Sequence, residues 1–248
     1  NMIGQYIKIE NVAYYSVAIF IATVISVPSR AMHQITHPIT AKLMAEGKHE
    51  ELNELYKKTS ITLQIVGGLV FLGILVNINQ LYLLLPENYR GGVFVVFTIG
   101  LSKYFDLILG NNNAIIFNSK YYRMVLFLGL LLAFVAVTLN MLLIPKYGIN
   151  GAAMATLISV LMYITAKLLF VVLRMKLFPF TKNTLVSFAI FLAFFFAFYY
   201  WEFPFHPIMN IVLKSTIVSV LYVWVNYKLN ISEDFNSVVN SLLLKLRK

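Results

Sequence analysis

The chain has 248 residues, of which 60% are hydrophobic and 12% charged, and its mean hydropathy is +0.78. A soluble domain averages about 25% charged and 45–50% apolar residues, so this composition excludes an ordinary water-soluble fold and calls for lipid as solvent. The net charge of +10 would raise nucleic acid as a partner of a soluble chain. Here the basic residues lie mostly in short stretches between apolar runs, which is the pattern of membrane topology, and no nucleic acid is expected. The chain lacks cysteine, so disulfides and thiolate metal sites are excluded. Its four histidines are too scattered to form a metal site.

In chain order, residues 12–38 form the first long apolar stretch. Pro28 within it predicts a bend, because proline removes a backbone hydrogen bond. Residues 39–59 are charged and read as a loop or short surface helix. Residues 60–85 are apolar, and Pro86–Gly92 signals a turn. Residues 93–117 are apolar with a polar middle. Residues 124–144 and 150–173 follow, separated by Pro145, Lys146, Tyr147 and Gly148, and the small residues Gly151, Ala152 and Ala153 permit close helix approach. Residues 184–201 and 208–227 complete the set. Residues 229–248 form a polar, amphipathic tail. Ser232 is placed to cap it, Glu233 and Asp234 suit its first turn, and Lys245, Arg247 and Lys248 suit anionic lipid.

That makes seven candidate spans, each near the 20 residues at 1.5 Å rise that cross the hydrocarbon core. Only a helix satisfies its backbone within one such segment, so the expected fold is an all-α transmembrane bundle. One set of loops holds thirteen basic residues, among them Lys48, Lys58, Lys120, Lys176, Lys182 and Lys248. The other holds Lys8, Arg90 and Lys146. By the positive-inside rule the chain starts outside and its C-terminus is cytoplasmic. Tyr199, Tyr200 and Trp201 cluster at an expected outer boundary. The first residue is Asn1 and no signal peptide is visible. We read the chain as a piece of a longer one.

Three stretches carry a resemblance. YYSVAIFIATVISVPSRAMHQITHPITAKLMAEGKHEELNELYKKTS (14–60) resembles the region of polysaccharide flippases in which a proline-interrupted helix leads into a cytoplasmic loop. FDLILGNNNAIIFNSKYYR (105–123) and LNMLLIPKYGINGAAMATLIS (139–159) are similar to later helices of the same proteins. The family is the O-antigen and polysaccharide flippase branch of the multidrug/oligosaccharidyl-lipid/polysaccharide exporter superfamily. The resemblance covers most of residues 1–180. It implies a fourteen-span protein of two helix bundles around a central cavity, working by alternating access without a cofactor. Such a protein moves an undecaprenyl-pyrophosphate-linked oligosaccharide across the bacterial inner membrane for surface polysaccharide such as lipopolysaccharide. On this reading residues 1–174 supply the second bundle, 175–228 two additional helices and 229–248 the cytoplasmic tail. The partners are then the lipid-linked oligosaccharide, membrane lipids and an N-terminal half.

The candidate substrate-binding residues are Arg30, Lys103, Asp106, Asn111, Asn113 and Lys167. Lys103 falls about 15 Å into its span at 1.5 Å per residue, and Asp106 lies on the same helix face. Charges at that depth are costly unless paired or facing a wet cavity. The pair therefore reads either as a contact for the anionic headgroup or as a structural ion pair. Arg30 shares a face with His33 and His37. Its planar fork suits phosphate, and it can equally snorkel to the interface. Asn111, Asn112 and Asn113 can bond sugar hydroxyls or neighbouring helices. Lys167 and Lys214 lie near span ends, where both can snorkel. No nucleophile–base pair, metal motif or phosphate loop points to an enzyme.

Rival classes are a drug/cation antiporter, a seven-helix receptor or retinal protein, and a membrane-embedded polysaccharide-pathway enzyme. The antiporter would favour acidic cavity residues, whereas Asp106 stands alone against four intramembrane bases. A retinal protein needs a lysine midway along its last helix, and Lys214 sits too near an end. The enzyme would need catalytic acids or a long outer loop.

Overall fold

In the computed structural model, residues 9–246 are described; Lys8, Arg247 and Lys248 lie outside them. The described residues are helical, with no strand among them. The helices are α1 (Ile9–Thr23), α2 (Val27–Ala45), α3 (His49–Val76), α4 (Ile78–Leu83), α5 (Val93–Ile108), α6 (Asn112–Phe117), α7 (Arg123–Phe170), α8 (Lys182–Tyr199), α9 (Pro207–Lys228) and α10 (Glu233–Leu246). Five helical stretches among them are long and apolar enough to cross a membrane: Val12–Ala45, His49–Val76, Arg123–Met175, Lys182–Tyr199 and Pro207–Lys228. Large apolar side chains such as Leu126, Phe134, Leu173 and Leu185 face outward, as lipid rather than water allows.

α3 is the axis of the bundle. It packs against α2, α5, α8 and α9, and its buried residues run from Leu52 to Val76. α5 lies between α3 on one side and α1 and α7 on the other. Three apolar clusters stack along the bundle. One end joins Leu43, Leu52, Tyr56, Ile115, Ile116, Val171 and Leu177. The middle gathers Phe71, Tyr104, Phe191, Val218 and Tyr222, with their neighbours. The other end joins Ala18, Ile78, Tyr82, Val96, Ile99 and Ala153, with Tyr199 packed beside them. Hydrogen bonds sort the chain in the same way. The Phe178 N–H donates to Asn53 Oδ1 at 3.0 Å and the Asn183 amide to the Ile231 carbonyl at 2.9 Å, both near the first end, while the Asn77 amide donates to Ser215 Oγ at 2.9 Å near the far end.

The expected loop 39–59 is a three-residue turn between two helices. α2 runs to Ala45, Gly47 takes φ +69°, and α3 begins at His49. The charges lie on exposed helical surface, where Lys48 meets Glu46 at 3.2 Å and Glu51 at 3.3 Å. A 3-10 turn, Val24–Ser26, separates α1 from α2, and Pro28 sits in the first turn of α2, where no partner for its nitrogen is needed.

The long α7 is a hairpin. Gly148 adopts φ 58° and ψ −134°, which no continuous helix allows, and Pro145 just before it removes a backbone donor. Beyond the turn the chain doubles back. A Cβ on Gly151 would collide with the Leu143 carbonyl. Farther along, Leu128, Leu131 and Val135 of the first arm share a crevice with Ser159, Tyr163 and Ala166 of the second. Because the chain has no native cysteine, the two ends are testable by single-cysteine labelling. Cysteines replacing Lys48 and Lys176 are expected to react from one face of the membrane and a cysteine replacing Lys146 from the other. Labelling of all three from one face would contradict the hairpin.

The tail helix starts as read. Ser232 Oγ accepts the Phe235 N–H at 3.3 Å, and Glu233 and Asp234 occupy the first turn. It is tied to α3 by Thr62–Ser232 (3.0 Å) and Lys58–Glu233 (3.2 Å). Both charges of that ion pair are well exposed, so it contributes little. Val238, Leu242 and Leu243 remain outward-facing.

Candidate functional site

The expected span 93–117 is broken. α5 ends at Ile108, Gly110 takes φ +55°, and α6 begins at Asn112. The cause is the close approach of α3. A Cβ on Gly110 would stand 2.7 Å from the Ser60 nitrogen and 2.9 Å from its Cα. The break frees carbonyls, and α3 satisfies one of them: Ser60 Oγ donates to the Ile108 carbonyl at 2.5 Å. A ring nitrogen of His33 lies 3.4 Å from the Gly110 carbonyl. Irregular backbone at membrane depth is tolerated where it is buried in protein or lines a wet cavity.

A cavity of about 70 Å³ opens beside this break, lined by Ser26, Ser29, His33, Lys103, Asp106, Asn112, Asn113 and Lys167 among others. That volume holds a few waters. Lys103 is half-buried and faces the cavity. Asp106 does not pair with it among the described residues. Instead Lys167 Nζ reaches Asp106 Oδ1 at 3.4 Å and Asn113 Oδ1 at 3.1 Å, and it stands 4.4 Å from the centre of the Tyr163 ring, within cation–π range. The pair is asymmetric, since the side chain of Lys167 is 1% exposed and that of Asp106 is 50% exposed. This corrects one expectation, since the partner of Asp106 is a lysine from α7 rather than its i−3 neighbour Lys103, and of the two readings of Lys167 it is the cavity-facing one, not snorkelling, that the side chain takes. With two lysines and one carboxylate, the lining carries a surplus of positive charge.

The other candidates divide. Asn113 belongs to the cavity through Lys167. Asn111 turns away and holds α2, accepting from Thr36 Oγ1 at 3.3 Å and donating to Thr40 Oγ1, so its amide joins helices. Arg30 is exposed and lies apart from the cavity lining. His33 and His37 stack at 5.1 Å between ring centres, on one face of α2. Asn112 was passed over as a site residue, yet it lines the cavity and donates to the Tyr56 hydroxyl at 2.6 Å. Its place in the Asn triplet was the available signal. Lys214 contradicts the snorkelling expectation, being 1% exposed, with an ammonium that makes no hydrogen bond. Among the described residues no group of three potential metal ligands occurs. No family model, curated protein or solved structure matches the chain.

Proposed function

We propose that the chain is the C-terminal half of a flippase that moves an undecaprenyl-pyrophosphate-linked oligosaccharide across the bacterial inner membrane by alternating access. On this reading it crosses seven times. Val93–Phe117 counts as one interrupted crossing and the two arms of α7 as two, and the basic end of the bundle faces the cytoplasm. The observation that carries the reading is the cavity at the Gly110 break, with Lys103, Lys167 and Asp106 in its wall. An interrupted helix beside charged residues is where membrane transporters place polar cargo, and a surplus of cations suits pyrophosphate rather than a cationic drug. The cavity is far too small for an oligosaccharide, so the reading requires a second bundle to supply the opposite wall.

Lys103 is the residue to test. A lysine at the centre of a membrane helix costs about 2.5–3.5 kcal/mol, and as a mere packing element it is replaceable by an apolar side chain at no such cost. In cells lacking their own flippase, co-expression of the chain with an N-terminal half is expected to restore export. Lys103→Met should then reduce export by about 10- to 100-fold, the loss of one charge-assisted hydrogen bond worth about 1.5–3 kcal/mol, with membrane abundance unchanged. Normal export by this variant would remove Lys103 from the site.

A further inference from the structure

A groove runs between α5 and α8, apart from the Gly110 cavity. Both helices pack on α3, and Tyr104 of α5 stacks on Phe191 of α8 at 4.9 Å between ring centres. From that contact toward the basic end of the bundle the two helices flank an open space of about 540 Å³. Its walls are Phe105 and Ile108 of α5 and Leu185 and Phe188 of α8, joined by Phe178 and Phe180, whose rings meet edge to face at 5.4 Å. The Gln64 amide in its floor is tied to the Thr184 carbonyl at 3.0 Å. At the rim stands Lys182, the first residue of α8. A capping box fixes that start, with Thr184 Oγ1 accepting the Thr181 N–H at 2.9 Å. Lys57 shares the face of α3 that carries Asn53 and Gln64, which bond Phe178 and Thr184, so it is a second cation on this side. Among the described residues ion pairs engage Lys42, Lys48, Lys58 and Lys167, and neither Lys57 nor Lys182 takes part.

Leu185 is 75% exposed and Phe178 47%, so the groove opens sideways onto the surroundings of the bundle, which for helices this apolar are lipid. At about 30 Å³ for a water-sized group, it holds roughly eighteen in line, the size of one fatty acyl chain and far short of an undecaprenyl tail. Apolar fit alone does not make a site in a bilayer, because the tails of bulk lipid are as apolar as leucine. The rim supplies the distinction. Lys182 places a cation where the groove reaches the end of the span, and α8 adds the positive end of its dipole. A phosphate is the group that both attract. Zwitterionic lipid carries a cation of its own beside the phosphate, which cancels part of that attraction. We infer that the groove binds one anionic glycerophospholipid, with an acyl chain against Phe105, Phe180 and Phe188 and the phosphate on Lys182. The lipid fills the gap between α5 and α8 and so ties α8 to the bundle. The site rests on the membrane assignment and is independent of the transport reading.

The test titrates the purified full chain in detergent with phosphatidylglycerol or phosphatidylcholine and counts bound lipid by native mass spectrometry. Wild type is expected to retain one phosphatidylglycerol per chain saturably. It should prefer that lipid to phosphatidylcholine by about fivefold or more, the factor that one basic residue contributes near an anionic headgroup. Lys182→Gln should weaken phosphatidylglycerol about fivefold and leave phosphatidylcholine unchanged. Leu185→Trp fills the groove from an exposed position, and it should weaken both lipids. Its Tm reports whether it folds, and Lys182→Gln decides on its own if it does not. Lys120→Gln removes a basic residue outside the groove and should change neither lipid. Absence of a saturable site in wild type overturns the inference. So do equal losses in Lys182→Gln and Lys120→Gln, which mark diffuse attraction, and undiminished binding in folded Leu185→Trp, which places the lipid elsewhere. A long isoprenyl phosphate that binds more tightly than phosphatidylglycerol would also overturn it, by assigning the groove to cargo.

Discussion

Asp106→Asn is expected to be among the most damaging single changes in the chain, and Lys167→Met a mild one. Lys167 is buried, with Asp106 as its only counter-charge among the described residues and with Asn113 and the Tyr163 ring as its other close partners. Removing the carboxylate strands a buried cation, which typically costs about 3–5 kcal/mol. The half-exposed position of Asp106 puts the cost near the lower figure, because water already screens part of the attraction. A loss of about 3 kcal/mol corresponds to a Tm lowered by about 6–12 °C for a chain of this size. Lys167→Met instead leaves a carboxylate that reaches the wet cavity and stays hydrated, so the expected cost is under about 1 kcal/mol. The double change should recover most of the stability lost in Asp106→Asn. Thermal inactivation of detergent-solubilised protein measures all three. Equal damage from the two single changes would contradict the asymmetry seen in the burial of the pair.

The second large effect belongs to Gly110→Val. The residue holds φ +55°, which costs an L side chain about 1–2 kcal/mol. Its Cβ would strike the Ser60 backbone, and backbone cannot rotate away as a side-chain tip can. Relief requires α3 and the α5–α6 junction to separate, breaking the Ser60–Ile108 hydrogen bond, worth about 1 kcal/mol. The expected total is about 3 kcal/mol or more, with the cavity distorted as well. Gly129→Ala is the control. No atom stands within 4 Å of its would-be Cβ, and alanine is the better helix former by about 1 kcal/mol, so Tm should hold or rise. Unchanged thermal stability in Gly110→Val would show that the helix break does not depend on this glycine.

These two sites mark where reading the sequence succeeds and where it stops. The all-helical fold, the Gly148 turn and the Ser232 cap were legible, because each depends on residues adjacent in the chain. The break at Gly110 was not. Nothing between 93 and 117 differs from a span with a polar middle until α3 presses against it, and α3 comes from elsewhere in the chain. Asp106 was legible as an acid in an apolar run that needs a partner, but its local neighbour Lys103 was the wrong one. The i, i+3 relation says which residues share a face, while the rotation of α5 against α7 decides which lysine is met. Asn111 was read as bonding either sugar or a neighbouring helix, and Thr36 and Thr40 of α2 take it.

The α7 hairpin carries a consequence for how the molecule is made. Its two arms are neighbours in the chain, joined by the turn at Gly148, so closing them orders little intervening backbone. Local pairings of this kind form early. The hairpin can therefore enter the bilayer as a preassembled pair while α8 and α9 are still being synthesised. The contacts of α3 with α8 and α9 bridge far longer stretches and must come last. Biogenesis then has two stages: a locally closed unit is inserted first, and the final two helices afterwards dock on an axis already in place. Pulse-labelled chains truncated after Met175 should already show the approach of the two arms as a thiol crosslink between cysteines replacing Val135 and Ser159, which share one crevice, before the later helices exist.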